Sequence, residues 1–348
     1  MLKSALQNRS NTWNPFLAGF AFLTLLVTIK LLYAGGFTTT IGAGMVFPDW
    51  PLSNGSLNPP GWTTDEAMLA EHGHRLLGAL VGFLTLMLAV WVHLREERAW
   101  VRRLAWAALA FVIFQGLLGG FRVLLVSLDL AKIHGITAQL FLCTLVALVA
   151  GLSRWWRGIP QKLSAAVARE WSRLRWIGLA LCGLIFVQLI VGAVVRHRGA
   201  GLAISSFPHS TPEGHWLPQA WPWPVQIHFA HRVIALFITL AFLGWLWSVF
   251  RTTAVPRVLK GFAVAALLLL GVQIALGAEI IWSVRAPFQT TLHMLNGAIF
   301  FAVVWLTTFG TFRPLLEPVA EKTGEKESSA EAGAVRPLSA LAHARSSS

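Results

Sequence analysis

Eight stretches of nearly unbroken apolar residues divide the chain, at about 15–34, 74–93, 104–122, 134–152, 176–195, 229–250, 259–279 and 291–312. Each is close to the roughly 20 residues that a helix needs to cross a bilayer. None alternates with period two, which excludes barrel strands. Glycine recurs inside them, as is common in membrane helices. The pattern predicts an all-α polytopic membrane protein with eight transmembrane helices. The first stretch lacks a small-residue cleavage site and reads as a retained helix rather than a secretory signal.

The polar positions orient these helices. Charged residues make up 12% of the 348 residues and hydrophobic ones 55%, whereas soluble domains carry about 25% charged residues. The formal net charge of +13 would suit nucleic acid, but its placement argues for lipid. With the N-terminus in the cytoplasm, the inner segments hold Lys3 and Arg9, then Arg95 to Arg103, Arg154 to Arg175, and Arg251 to Lys260. The first outer loop, Gly35 to Gly73, contains no Lys or Arg. This is the positive-inside bias of the cell inner membrane, and anionic lipid is the expected partner for the charge. Both termini then lie in the cytoplasm. The expected segments are an N-terminus over 1–14, a helical bundle over 15–152, a connection over 153–175, a second bundle over 176–312, and a disordered tail over 313–348. Cys143 and Cys182 fall inside predicted helices, where they serve as small apolar fillers rather than as an outer-loop disulfide.

The chain repeats itself at an offset near 157 residues. Ile41-Gly-Ala-Gly precedes a loop containing Phe47-Pro48, and Arg198-Gly-Ala-Gly precedes one containing Phe207-Pro208. His74-Arg75 matches His231-Arg232, and His134 matches His293. Gln115-Gly-Leu-Leu-Gly119 matches Gln273-Ile-Ala-Leu-Gly277, with Gln188-Leu-Ile-Val-Gly192 a related spelling. Four helices per half preserve orientation, so the expected architecture is two parallel-related four-helix bundles.

A lone histidine at a helix mouth is ordinarily a polar cap. Four at repeat-equivalent positions, all at the outer ends of helices, are a functional signal. His74 with His134, and His231 with His293, have the placement needed to clamp a metal macrocycle from both faces, which makes bis-histidine haem ligation the expected chemistry. Zinc is the rival metal, but it prefers compact tetrahedral sets. Arg75 and Arg232 are candidate partners for haem propionates, or they snorkel to the interface. Arg122 and Arg196 are weaker candidates for the same role. Glycines at 78, 82, 116, 119, 192 and 277 admit close packing of a porphyrin or of another helix.

Glu71 breaks the symmetry. It lies three residues before His74 on the same helical face, and its counterpart is His228. An electron-transfer haem needs no such carboxylate, whereas a site that moves protons does; helix capping or a salt bridge is the plainer use. His72 and His228 are candidate proton carriers, or hydrogen-bond partners for a propionate or a quinone. The Pro- and Gly-rich loop FPDWPLSNGSLNPPGW, with Phe47, Asp49, Trp50 and Trp62, is suited to a lid over the first bundle, although aromatic anchoring at the interface also accounts for its tryptophans.

With GAGMVFPDWP, Glu71-x-x-His74-Arg75, His134, the second Gly-Ala-Gly segment, His228-x-x-His231-Arg232 and His293, the sequence resembles the haem A synthase family over about residues 15 to 312. The resemblance implies an oxidoreductase of haem biosynthesis that oxidises the C8 methyl group of haem O to a formyl group, giving haem A with oxygen from water. It implies a substrate pocket bounded by His74 and His134, a haem b relay ligated by His231 and His293, and an essential acid at Glu71. Haem O synthase and the cytochrome oxidase assembly machinery are the implied partners; a membrane quinone is a candidate electron acceptor from the membrane setting, and the direct acceptor stays open. Many members carry a cysteine pair in the first outer loop; this chain has none there, which excludes a disulfide relay. A di-haem electron carrier would use the same four histidines and is the competing function. A transporter is a weaker third class, since repeated haem ligands do not recommend it.

Overall fold

The structure, a computed structural model, describes residues 13–317. Eight long helices follow in order: α1 (Pro15–Thr40), α2 (Glu66–Arg95), α3 (Ala99–Leu124), α4 (Leu128–Leu152), α5 (Ala165–His197), α6 (Trp223–Arg251), α7 (Arg257–Trp282) and α8 (Pro287–Gly310). All eight are long and apolar enough to cross a membrane, and among the described residues there is no strand. The eight-helix expectation holds, and the chain is a multi-pass membrane protein.

Most helices extend beyond their apolar stretches because local capping chemistry sets their ends. Asn14 Oδ1 accepts from the N–H groups of Phe16 and Leu17, both at 3.1 Å, with Pro15 at the first helical position. Asp65 caps α2 through the Met68 N–H at 2.8 Å, so the helix begins at Glu66, eight residues ahead of the apolar stretch. His74 therefore lies two turns inside α2, not at its mouth. Ser127 and Ser164 cap α4 and α5, so the connection expected over 153–175 shortens to 153–164. The repeat reaches the backbone as well. Val126 after α3 and Val284 after α7 both turn in the left-handed region, at φ 49° and 52°.

Each half is a ring of four helices. Helix α1 packs on α2, α2 on α3, α3 on α4, and α4 back on α1; α5 to α8 repeat the circuit. The halves meet through α1 on α8, α4 on α5, and α4 on α8. Helices α4 and α8 are thus the most enclosed, and they sit at the axis that relates the two halves. Residues such as Phe83, Phe121, Leu240 and Leu268 face outward, as a lipid-facing surface requires. Cys143 and Cys182 are free thiols buried in the core that joins the halves.

The end opposite the histidines is fastened by an ionic cluster. Arg98 reaches Glu96 and Glu317, each at 2.8 Å, and the Gly151 carbonyl at 2.8 Å. Trp156 Nε1 donates to Glu317 at 3.0 Å. Arg313 donates to the carbonyls of Arg157 and Ile159. Arg313–Leu316, expected to belong to a disordered tail, instead form a helical turn held by these bonds. The rest of that tail, and residues 1–12, lie outside the described residues. Partial burial acts to raise the carboxyls of Glu96 and Glu317, but bonds from Arg98 outweigh it and hold both below the usual range. Their contribution to stability is accordingly present above the ordinary carboxylate pKa and lost as the pH falls through the lowered values. Arg98→Ala removes the shared cation from two half-buried carboxylates. The expected loss is about 1–3 kcal/mol, below the range for fully buried pairs because water reaches this cluster, and is read as a lower unfolding temperature in detergent.

Candidate functional site

The histidine-bearing helices of each half, α2 with α4 and α6 with α8, are diagonal in their four-helix rings. They stand apart, yet their imidazoles approach across the gap. The ring centres of His74 and His134 are 6.5 Å apart with planes at 83°, and those of His231 and His293 are also 6.5 Å apart, at 61°. A metal held axially between two imidazoles sets the ring centres about 6.3 Å apart, given metal–nitrogen bonds near 2 Å. Both pairs match that span. Among the described residues, no group of three or more His, Cys, Asp or Glu converges, as a compact tetrahedral zinc site would require.

Each imidazole lies against a glycine of a neighbouring helix. A Cβ at Gly35 would stand 2.6 Å from His74 Cε1, at Gly119 3.3 Å from His134, at Gly192 3.2 Å from His231, and at Gly277 3.3 Å from His293. Gly35 and Gly192 are repeat equivalents on α1 and α5; Gly119 and Gly277 are equivalents on α3 and α7. The Q-x-x-x-G spellings thus mark imidazole rests. Gly78, Gly82 and Gly116, read alongside them in the sequence, have open space where a Cβ would stand. The carbonyls of Leu31, Gln115 and Gln273, each four residues ahead of a resting glycine, approach His74, His134 and His293. Nδ1 of all four histidines is buried and closes no hydrogen bond. Nε2 of His293 meets the Gln273 side-chain amide at 3.2 Å; the 6.5 Å spacing of each pair is what fits a macrocycle held between two imidazoles.

The acid–base groups beside these pairs hold the loops. Glu71, 1% exposed, accepts from the N–H groups of Val46 at 2.6 Å and Phe47 at 3.1 Å through Oε2, and pairs with Arg75 at 2.7 Å through Oε1. In the second half, His228 Nδ1 accepts from the Ile204 N–H at 3.2 Å. Phe47 and Ile204 are repeat equivalents. Glu71 and His228 therefore share one tethering task, which the sequence asymmetry concealed. Arg75 donates to the carbonyls of Phe47, Asp49 and Leu52 as well as to Glu71. Arg232 likewise donates to the carbonyls of Ile204, Ser206 and His209. Each arginine also faces a loop phenylalanine, Phe47 at 5.4 Å and Phe207 at 5.7 Å.

The first loop closes over its half as a lid. Phe47 is fully buried, and Trp62 packs edge-on to His72 with ring centres 4.7 Å apart. His72 Nδ1 meets Ser53 Oγ at 2.9 Å, while its Nε2 is buried without a partner. Asp49 accepts from the N–H groups of Asn54 and Gly55, and chiefly the Gly55 bond holds its carboxyl below the ordinary value. The Trp50 indole lies directly on Gly120 of α3, in the space that a Cβ would take. Gly120→Ala gains about 1 kcal/mol of helix propensity but must displace the indole. Faster backbone hydrogen exchange over residues 47–56, read by mass spectrometry, is the expected result.

Several contacts join the halves at this level. Gly36, next to the glycine under His74, holds the Met294 side chain against its backbone, and Met294 follows His293. Arg196 donates to the Gly36 carbonyl and to Thr40 Oγ1, and Thr291 Oγ1 donates to the same threonine oxygen at 3.3 Å.

Fold and site together define a helical membrane protein with two repeat-related imidazole pairs, each spaced for one planar metal macrocycle. The chain matches the COX15-CtaA family of cytochrome oxidase assembly proteins over residues 18–305, and it belongs to that family. It is 32% identical to the haem A synthase of Symbiobacterium thermophilum, over 73% of this chain and 82% of that one. Identity to the haem A synthase of Shouchella clausii is 31%, covering 81% and 92% of the two chains. For that of Alkalihalophilus pseudofirmus it is 28%, covering 85% and 97%.

Proposed function

We propose that the chain is a haem A synthase that oxidises the C8 methyl group of haem O to a formyl group. The observation that carries this reading is the pair of equal imidazole gaps, only one of which has a buried carboxylate on the adjoining helical turn. The conversion of a methyl group and water to a formyl group releases four electrons and four protons. Such a reaction needs a pocket closed to bulk water, a route for electrons and an acceptor for protons.

In this reading His74 and His134 bound the substrate site, at the outer face of the inner membrane. The lid tethered by Glu71, Arg75 and Trp50 limits water to what the reaction uses. Glu71 accepts a proton as water adds to the substrate carbon. His231 and His293 hold haem b, which, when bound, supplies a one-electron relay toward a membrane quinone. The domain boundaries follow the repeat, with the substrate half ending near residue 152 and the haem b half beginning with α5 at residue 165.

Expression with a supply of haem O, followed by extraction and chromatography of the haems, tests the assignment. Haem A that depends on this chain is the expected result. Unchanged haem O with reversible haem b reduction would instead establish the di-haem carrier, a reading favoured by the tethering task that Glu71 shares with His228.

A further inference from the structure

The arginines that the sequence motif offers to an anionic ligand are already engaged. Arg75 has five donor contacts within its own half through its two terminal nitrogens, and Arg232 has three. Neither retains the paired N–H groups that grip a carboxylate from both oxygens.

Two other arginines are differently placed. Arg122, in the last turn of α3, lays its guanidinium over Gly44, where a Cβ would stand 3.0 Å and 3.3 Å from its terminal nitrogens. Arg285, in the turn after α7, lies over Gly201, with Cδ 3.7 Å from a Cβ placed there. Gly44 and Gly201 are repeat equivalents, the second glycine of each Gly-Ala-Gly turn. The two arginines do not align in the sequence repeat, since α3 delivers one from its final turn and the connection after α7 delivers the other. They nevertheless cover the same spot in each half. Both are half-buried. Neither side chain makes a hydrogen bond, ion pair or ring contact among the described residues, in contrast to Arg75 and Arg232. Arg122 lies within electrostatic reach of His74, His134 and Glu71. A half-buried guanidinium with no hydrogen-bonded partner keeps N–H groups that an incoming anion can take up.

We propose that Arg122 and Arg285 are the carboxylate-binding residues of the two halves, each gripping a propionate of the macrocycle held by the adjacent histidine pair, while Arg75 and Arg232 serve the loops. The proposal rests on the reading of the histidine pairs as haem sites. The glycine beneath the Arg122 guanidinium follows from the same arrangement, because a side chain at position 44 would crowd the group that must meet the ligand, whereas at position 201 a Cβ would only touch the Arg285 stem.

The test separates the ligand carboxylate from the rest of the macrocycle. Haem b and its dimethyl ester, which lacks the propionate charges, are titrated into full-length apoprotein in detergent, followed by the Soret band. Arg285→Gln is examined with His74→Ala/His134→Ala present, and Arg122→Gln with His231→Ala/His293→Ala present, so that one site is read at a time. With the arginine intact, the acid is expected to bind at least about tenfold more tightly than the ester, as a charge-assisted bond confers. The Gln variant should bring that ratio close to one with ester affinity unchanged, which also reports an intact fold. Arg→Lys should restore part of the preference. An unchanged ratio, or equal weakening of both ligands, overturns the role of the arginine. Failure of the arginine-intact protein to bind either ligand instead overturns the reading of the histidines, and this inference with it.

Discussion

Glu71→Gln is expected to leave haem bound in both halves while haem A production falls by at least about 100-fold, the scale on which a positioned proton acceptor contributes. The amide retains one oxygen to accept from the Val46 and Phe47 N–H groups. Its NH2 would face the Arg75 guanidinium, so the 2.7 Å ion pair is lost. The two tasks of the residue can therefore be read apart. Hydrogen exchange over residues 46–56 reports the tether, and haem extraction reports the chemistry. Wild-type conversion of haem O by the purified variant would remove Glu71 from proton transfer and leave it only the loop. Glu71→Asp provides the complementary case, because it keeps the charge but withdraws it from the loop amides.

The second large effect concerns the far half. His231→Ala or His293→Ala is expected to weaken haem b there by at least about 100-fold, since even the outer partners of a metal ligand change affinity by 10–100-fold. The His74/His134 pair lies on other helices and should still take up haem O. The variant would then hold substrate without converting it, because the electron route is gone. Spectra and haem content of the purified protein decide the matter. Full retention of haem b in either variant would sink the ligation scheme. Gly277→Ala should have a smaller effect in the same direction, since its Cβ would stand only 3.3 Å from the His293 ring.

The helices were legible in the sequence because their apolar stretches are long and unbroken, and the four histidines because the repeat aligns them. What escaped reading has physical reasons. The apolar pattern began α2 near residue 74, but Asp65 caps it earlier, and the polar run from Glu71 to Arg75 separates the short apolar segment Ala67–Ala70 from the long one. Arg75 and Arg232 looked available because their acceptors are mostly backbone carbonyls, which have no signature in a sequence. Gly35 could have been found, since its offset from Gly192 is that of the repeat, but Leu31 stands where the other rests have glutamine. The shared position of Arg122 and Arg285 exists only in space. Glu71 and His228 differ in chemistry yet accept from equivalent amides, a likeness that needs coordinates to be seen.

Adjacent glycines on α1 carry a consequence for the whole molecule. Gly35 supports the imidazole of one centre, and Gly36 seats the methionine that follows a ligand of the other. A slide or rotation of this one helix would disturb the surroundings of both imidazole pairs at once, so neither can be retuned from α1 without perturbing its twin.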